Sequence, residues 1–64
     1  MNILFIGDVY ASHGRRIVLD QLARIVTEER IDLVIANVEN AAGGFGVTPQ
    51  IAEDFLSNGV EVMT

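Results

Sequence analysis

Ile3-Leu4-Phe5-Ile6-Gly7-Asp8 decides the fold of this chain: four large apolar residues in a row, then a glycine, then a carboxylate. An unbroken apolar run ending in a turn residue is the pattern of a strand covered on both faces, as in a parallel sheet; a half-solvated strand would alternate. The pattern returns from Ile31 to Ala36 and, more weakly, from Val60 to Met63, where Glu61 interrupts it. Three strands are therefore predicted.

Between the first two runs the spacing predicts a helix over residues 14–29. Val18, Leu22, Ile25 and Val26 repeat at i, i+4, i+7 and i+8 and form one apolar stripe. Asp20, Arg24 and Glu28 fall on the other side at four-residue spacing, where opposite charges can pair. The second helix has a sharper start. Thr48 is a good N-cap, and Pro49 after it has its φ preset and no N–H to lose. Ile51, Ala52, Phe55 and Leu56 make its buried side, and Asn58-Gly59 closes it. The order β-α-β-α-β implies an α/β fold of parallel strands joined by right-handed crossovers. Residues 1–64 read as one unit, and nothing in them closes the sheet.

Half of the 64 residues are apolar, so the chain is globular in composition. A domain of this size buries only about 60% of its unfolded surface, a thin margin over the entropy of ordering. There is no cysteine, which excludes disulfides and suits a reducing compartment, and no cluster fit for a structural zinc. Stability is expected to come from a partner, an oligomer or a longer chain. Nine carboxylates face four arginines and no lysine, for a net charge of −5, which opposes tight non-specific binding to nucleic acid. The apolar start is too short for a signal sequence, and no run reaches the ~20 apolar residues of a membrane span. A cytoplasmic protein is expected.

In open α/β sheets, ligands bind beyond the carboxyl ends of the strands. Asp8 falls at that edge after the first strand, and Glu39-Asn40 after the second. Neighbouring carboxylates repel unless one takes up a proton or a cation sits between them. With the amide beside them they form an oxygen-rich set suited to a hard or borderline divalent metal. Each is also readable as an ordinary loop residue or helix cap. The run Ala41-Ala42-Gly43-Gly44-Phe45-Gly46 can bring backbone N–H groups to a phosphate, although the plainer reading is a permissive connection; it is neither a Walker loop nor G-x-G-x-x-G. Arg15 and Arg16 open the first predicted helix, where cations oppose the helix dipole by about 0.3–1 kcal/mol. Either the helix start is solvated or an anion lies nearby. His13 is the only imidazole and a candidate for metal or phosphate contact.

These residues resemble a family. Ile3-Leu4-Phe5-Ile6-Gly7-Asp8-Val9, Gly14-Arg15, Val34-Ile35-Ala36-Asn37 and above all Glu39-Asn40-Ala41-Ala42-Gly43-Gly44-Phe45-Gly46-Val47-Thr48 resemble the YmdB-like branch of the calcineurin-type metallophosphoesterases, in one register along nearly the whole chain. The resemblance implies the N-terminal βαβαβ unit of a layered α/β phosphoesterase domain whose sheet is incomplete here. It implies a two-metal phosphodiesterase acting on small phosphodiesters such as 2′,3′-cyclic nucleotides. Iron or manganese are the implied metals, with magnesium or zinc as other occupants. By position, Asp8 and Asn40 would ligate one metal and Glu39 would bridge both, with Gly43, Gly44, Arg15 and His13 as substrate contacts. Such metals polarise a phosphate and acidify a bound water.

Family members are several times longer, and the strand matching residues 60–64 leads in them to a Gly-Asn-His motif that this chain lacks, so the 64 residues alone are expected to be inactive. Tyr10-Ala11-Ser12-His13 stands where the family more usually has a stretch with glycine and proline. Two other readings stay open: a non-catalytic metal- or nucleotide-binding module, and a structural fragment that folds on a partner or as a homo-oligomer through its strand edges.

Overall fold

The computed structural model describes residues 1–44 and 46–64; Phe45, within the glycine-rich motif, lies outside the described residues. The order is β1 (Ile3–Ile6), α1 (Ala11–Glu28), β2 (Leu33–Ala36), α2 (Pro49–Ser57) and β3 (Val62–Met63). The strands form one parallel sheet in the order β1-β2-β3, with Ile3 opposite Leu33, Ile6 opposite Ala36, and Ala36 opposite Met63. The chain is thus the α/β unit its apolar runs predict.

Two boundaries differ from the sequence reading. α1 starts at Ala11, three residues early, so Arg15 and Arg16 lie in its second turn and do not open it. Tyr10 offers no side-chain cap; the first N–H of the helix, that of Ala11, instead donates to the Asn40 carbonyl at 3.1 Å. A contact from 29 residues downstream replaces the local signal. β2 begins at Leu33 because Ile31 belongs to the helix end. The Ile31 N–H donates to Val26 O at 3.0 Å, and Arg30 takes a positive φ of 52°, the Schellman closure usually made with glycine. Asn2 then staples this corner, its amide donating to Glu29 O and Arg30 O while its own carbonyl accepts from Asp32 N.

α2 follows its prediction closely. Thr48 Oγ1 accepts from Ile51 N at 3.2 Å, Pro49 is the first helical residue, and Gly59 has φ 107° with Val60 N donating to Phe55 O at 3.0 Å. Phe55 is fully buried, but Leu56 points to solvent, so the buried side of α2 is narrower than the four predicted positions. On α1 the expected charge ladder is partial: Arg24 and Glu28 pair at 3.3 Å, both exposed, a contact worth a few tenths of a kcal/mol.

One cluster of side chains forms the core. Leu22 of α1, Ile51 and Phe55 of α2, and Val34 and Ala36 of β2 are buried in it, with Leu4, Ile6, Val18 and Met63 packed against them. Both helices therefore cover the same face of the sheet, as two crossovers running in the same direction require. The strands are not covered on both faces as their apolar runs implied. Ile3 is 54% exposed, Phe5 60% and Val62 43%, and register places them on the opposite face with Leu33 and Ile35. Within this chain nothing among the described residues is left to cover that face.

Candidate metal centre

The ladders continue past the strands and align the three carboxyl ends. Asn37 N donates to Ile6 O at 2.9 Å, Val9 N to Asn37 O at 3.0 Å, Thr64 N to Ala36 O at 2.9 Å and Val38 N to Thr64 O at 2.9 Å. Val9, Val38 and Ala41 are buried and anchor these loops in apolar surroundings. Asp8, Glu39 and Asn40 alternate with these anchors, Asp8 and Glu39 being exposed and Asn40 half-buried.

Asp8 and Asn40 meet. Asn40 Nδ2 donates to Asp8 Oδ1 at 3.0 Å, so the two strand ends touch through the two side chains expected to ligate one metal. Asp8 holds a positive φ of 35°, a conformation that Asp and Asn tolerate better than other side chains. Asn37 adds a further oxygen at this edge: its Oδ1 is buried without a hydrogen-bond partner among the described residues. A buried orphan acceptor costs about 1–3 kcal/mol. The donors gathered here are carboxylate and amide oxygens, the chemistry of a hard cation site. Among the described residues, however, no three His, Cys, Asp or Glu side chains group as a metal site would require. The arrangement fits part of a cation site.

The other candidate residues lie around this edge. Gly43 and Gly44 turn the chain with φ of 65° and 92°, Gly43 N donating to Asn40 O at 3.1 Å, and open space surrounds both α-carbons. His13 is exposed on the first turn of α1. Arg15 is half-buried rather than solvated: it donates from Nη1 to the Ala41 carbonyl and ties α1 to the turn carrying Glu39 and Asn40. Ser12, Gln50 and Asp54, which no motif in the sequence singles out, share a cleft with Arg15. The Gln50–Asp54 spacing is visible in the sequence, but its meeting with α1 is purely tertiary.

Residues 4–64 match the sequence profile of the family described as YmdB-like protein. The 2′,3′-cyclic-nucleotide 2′-phosphodiesterase of Bacillus subtilis (strain 168) is 39% identical over all 64 residues, which cover 24% of its length. A crystal structure titled a novel phosphatase, from Mycoplasma pneumoniae, superposes with TM-score 0.90 at 36% identity, over 95% of this chain and 22% of that one. A hypothetical protein from Thermus thermophilus superposes with TM-score 0.87 at 44% identity, over 98% of this chain and 24% of that one. The chain thus spans about a quarter of the length of the proteins it matches.

Proposed function

The chain belongs to the YmdB-like family, and from that premise we propose that it is the N-terminal unit of a longer metal-dependent phosphodiesterase acting on small phosphodiesters such as 2′,3′-cyclic nucleotides. The contact of Asn40 with Asp8 carries this reading, because it joins the two strand ends through side chains able to share one cation. In this reading Asp8, Glu39 and Asn40 would be the residues of this chain that hold the metals, with iron or manganese as the occupants. A cation pair would supply Lewis acidity toward the phosphate and lower the pKa of a water at the site. The chain's own part is positional. The buried anchors Val9, Val38 and Ala41 fix the loops, while Gly43, Gly44, Arg15 and His13 border the site as substrate contacts.

The 64 residues alone are inactive in this reading, since no third carboxylate or imidazole joins the cluster among the described residues. The test is hydrolysis of bis-p-nitrophenyl phosphate with added Mn²⁺, by this chain and by the longer protein. Turnover by the longer protein that is lost in Glu39→Gln supports the proposal; strong Glu39-dependent turnover by the 64 residues overturns the inactive half of it. A second reading, a binding module without catalysis, rests on the same incomplete ligand set. It predicts Mn²⁺ binding that Asp8→Ala abolishes, with no turnover by the longer protein.

A further inference from the structure

The first turns of α1 and α2 border an open cleft of about 610 Å³ that none of Asp8, Glu39 or Asn40 lines. Its wall carries one cation, Arg15, and one anion, Asp54, both half-buried. Opposite charges on one cleft wall attract at contact distance. These two do not meet: among the described residues Arg24–Glu28 is the one ion pair within 4.0 Å. Each is tethered elsewhere. Arg15 donates to the Ala41 carbonyl, and Asp54 accepts from Gln50 Nε2 at 2.9 Å. The guanidinium keeps further N–H donors to offer, and the carboxylate a second oxygen.

The cleft lies close to the candidate metal centre. Ala11 N and Gly43 N, both of the cleft wall, donate to the same Asn40 carbonyl at 3.1 Å. A ligand group filling the cleft would therefore neighbour a phosphate held at the strand ends. The volume lies in the range of small-ligand sites, roughly 300–1,000 Å³. Ile51 and Ala42 give apolar contact, and Ser12 gives a hydroxyl. One cation beside one tethered carboxylate suits a singly charged anion that also carries hydroxyl donors. A doubly charged phosphomonoester would meet repulsion from Asp54.

We infer that the cleft binds the nucleotide adjoining the scissile one, with its phosphodiester at Arg15 and a sugar hydroxyl at Asp54. This rests on the phosphodiesterase reading and narrows its substrate to short oligonucleotides ending in a cyclic phosphate.

The test has two arms, both on the longer protein. In the first, calorimetry with the dinucleoside monophosphate UpU in the presence of chelator reads the cleft without turnover. Binding that falls about tenfold or more in Arg15→Gln, the effect of one ionic hydrogen bond, supports the inference. Asp54→Ala, which leaves the Arg15 tether to Ala41 in place, is expected to weaken UpU as well, so that the loss is not merely that of the tether. No UpU binding by the unmodified protein, or binding by both variants as tight as by the unmodified protein, overturns it. In the second arm, KM for a dinucleotide with a 2′,3′-cyclic end is compared with KM for the cyclic mononucleotide. The expected dinucleotide KM is about tenfold lower, at similar kcat, and the ratio approaches one in Arg15→Gln. A ratio of one in the unmodified protein overturns the cleft assignment, whereas absence of turnover on both substrates with UpU still bound overturns only the phosphodiesterase reading.

Discussion

Asn40 Nδ2 donates to Asp8 Oδ1 at 3.0 Å, joining residues 32 positions apart at the tips of adjacent parallel strands. The contact occupies one carboxylate oxygen while the Asp8 backbone holds φ 35°. Asparagine adopts that conformation at lower cost than alanine. Asp8→Asn is expected to melt within about 0.5 kcal/mol of the unmodified protein, and Asp8→Ala to lose about 1–2 kcal/mol. Asp8→Ala should abolish any rise in melting temperature on adding Mn²⁺, and Asp8→Asn, which keeps a neutral oxygen donor, should weaken it. A full Mn²⁺ response in Asp8→Ala would remove Asp8 from the ligand set.

Glu39 is exposed, and its side chain makes no hydrogen bond among the described residues. Its replacement by glutamine should therefore change stability by no more than about 0.5 kcal/mol. Metal affinity and hydrolysis by the longer protein should nevertheless collapse, if it bridges two cations. Urea denaturation beside a Mn²⁺ titration separates the two effects. A stability loss matching the loss of binding would show that Glu39 acts structurally.

Thr48 caps α2, whose Phe55 and Ile51 are central to the core. Thr48→Ala should cost about 1 kcal/mol, since Ile51 N loses its acceptor, and Thr48→Ser should restore most of it. The midpoint of denaturant unfolding reads this directly. Equal midpoints for Thr48→Ala and the unmodified chain would mean that Pro49 alone sets the helix start.

The sequence is legible where the signal is local. β1 has its predicted bounds because Gly7 stops the apolar run, and α2 starts as predicted because Thr48 and Pro49 are adjacent. Failures occur where a distant partner decides. α1 starts early on an acceptor supplied by Asn40, and Ile31 is drawn from the strand into a helix closure by Val26 and Asn2. Arg15 reads as a solvated residue until Ala41 is seen above it. Topology puts Asp8 and Asn40 on a shared edge and the resemblance puts them on one metal, but neither foretells their direct hydrogen bond.

The bare sheet face makes a prediction of opposite sign in two settings. Ile3, Phe5 and Val62 form a contiguous apolar surface of the kind that drives association. In the isolated 64 residues, Phe5→Thr should reduce self-association seen by sedimentation velocity, at little cost in stability. In the longer protein, if that face is covered, the same change should destabilise by about 2–4 kcal/mol, as loss of a buried aromatic does. Unchanged stability there would show the face to be solvent-exposed throughout.

Because both helices occupy one side, the layout separates what must stay constant from what is free to vary. The loops bearing Asp8, Glu39 and Asn40 are braced from the helical side, by Arg15 and by the buried anchors beneath them. Any companion layer would approach from the other side, touching the rim of the site without carrying its scaffold. That layer could then be reshaped while the frame carrying Asp8, Glu39 and Asn40 is inherited unaltered, a division of labour that lets one architecture diversify.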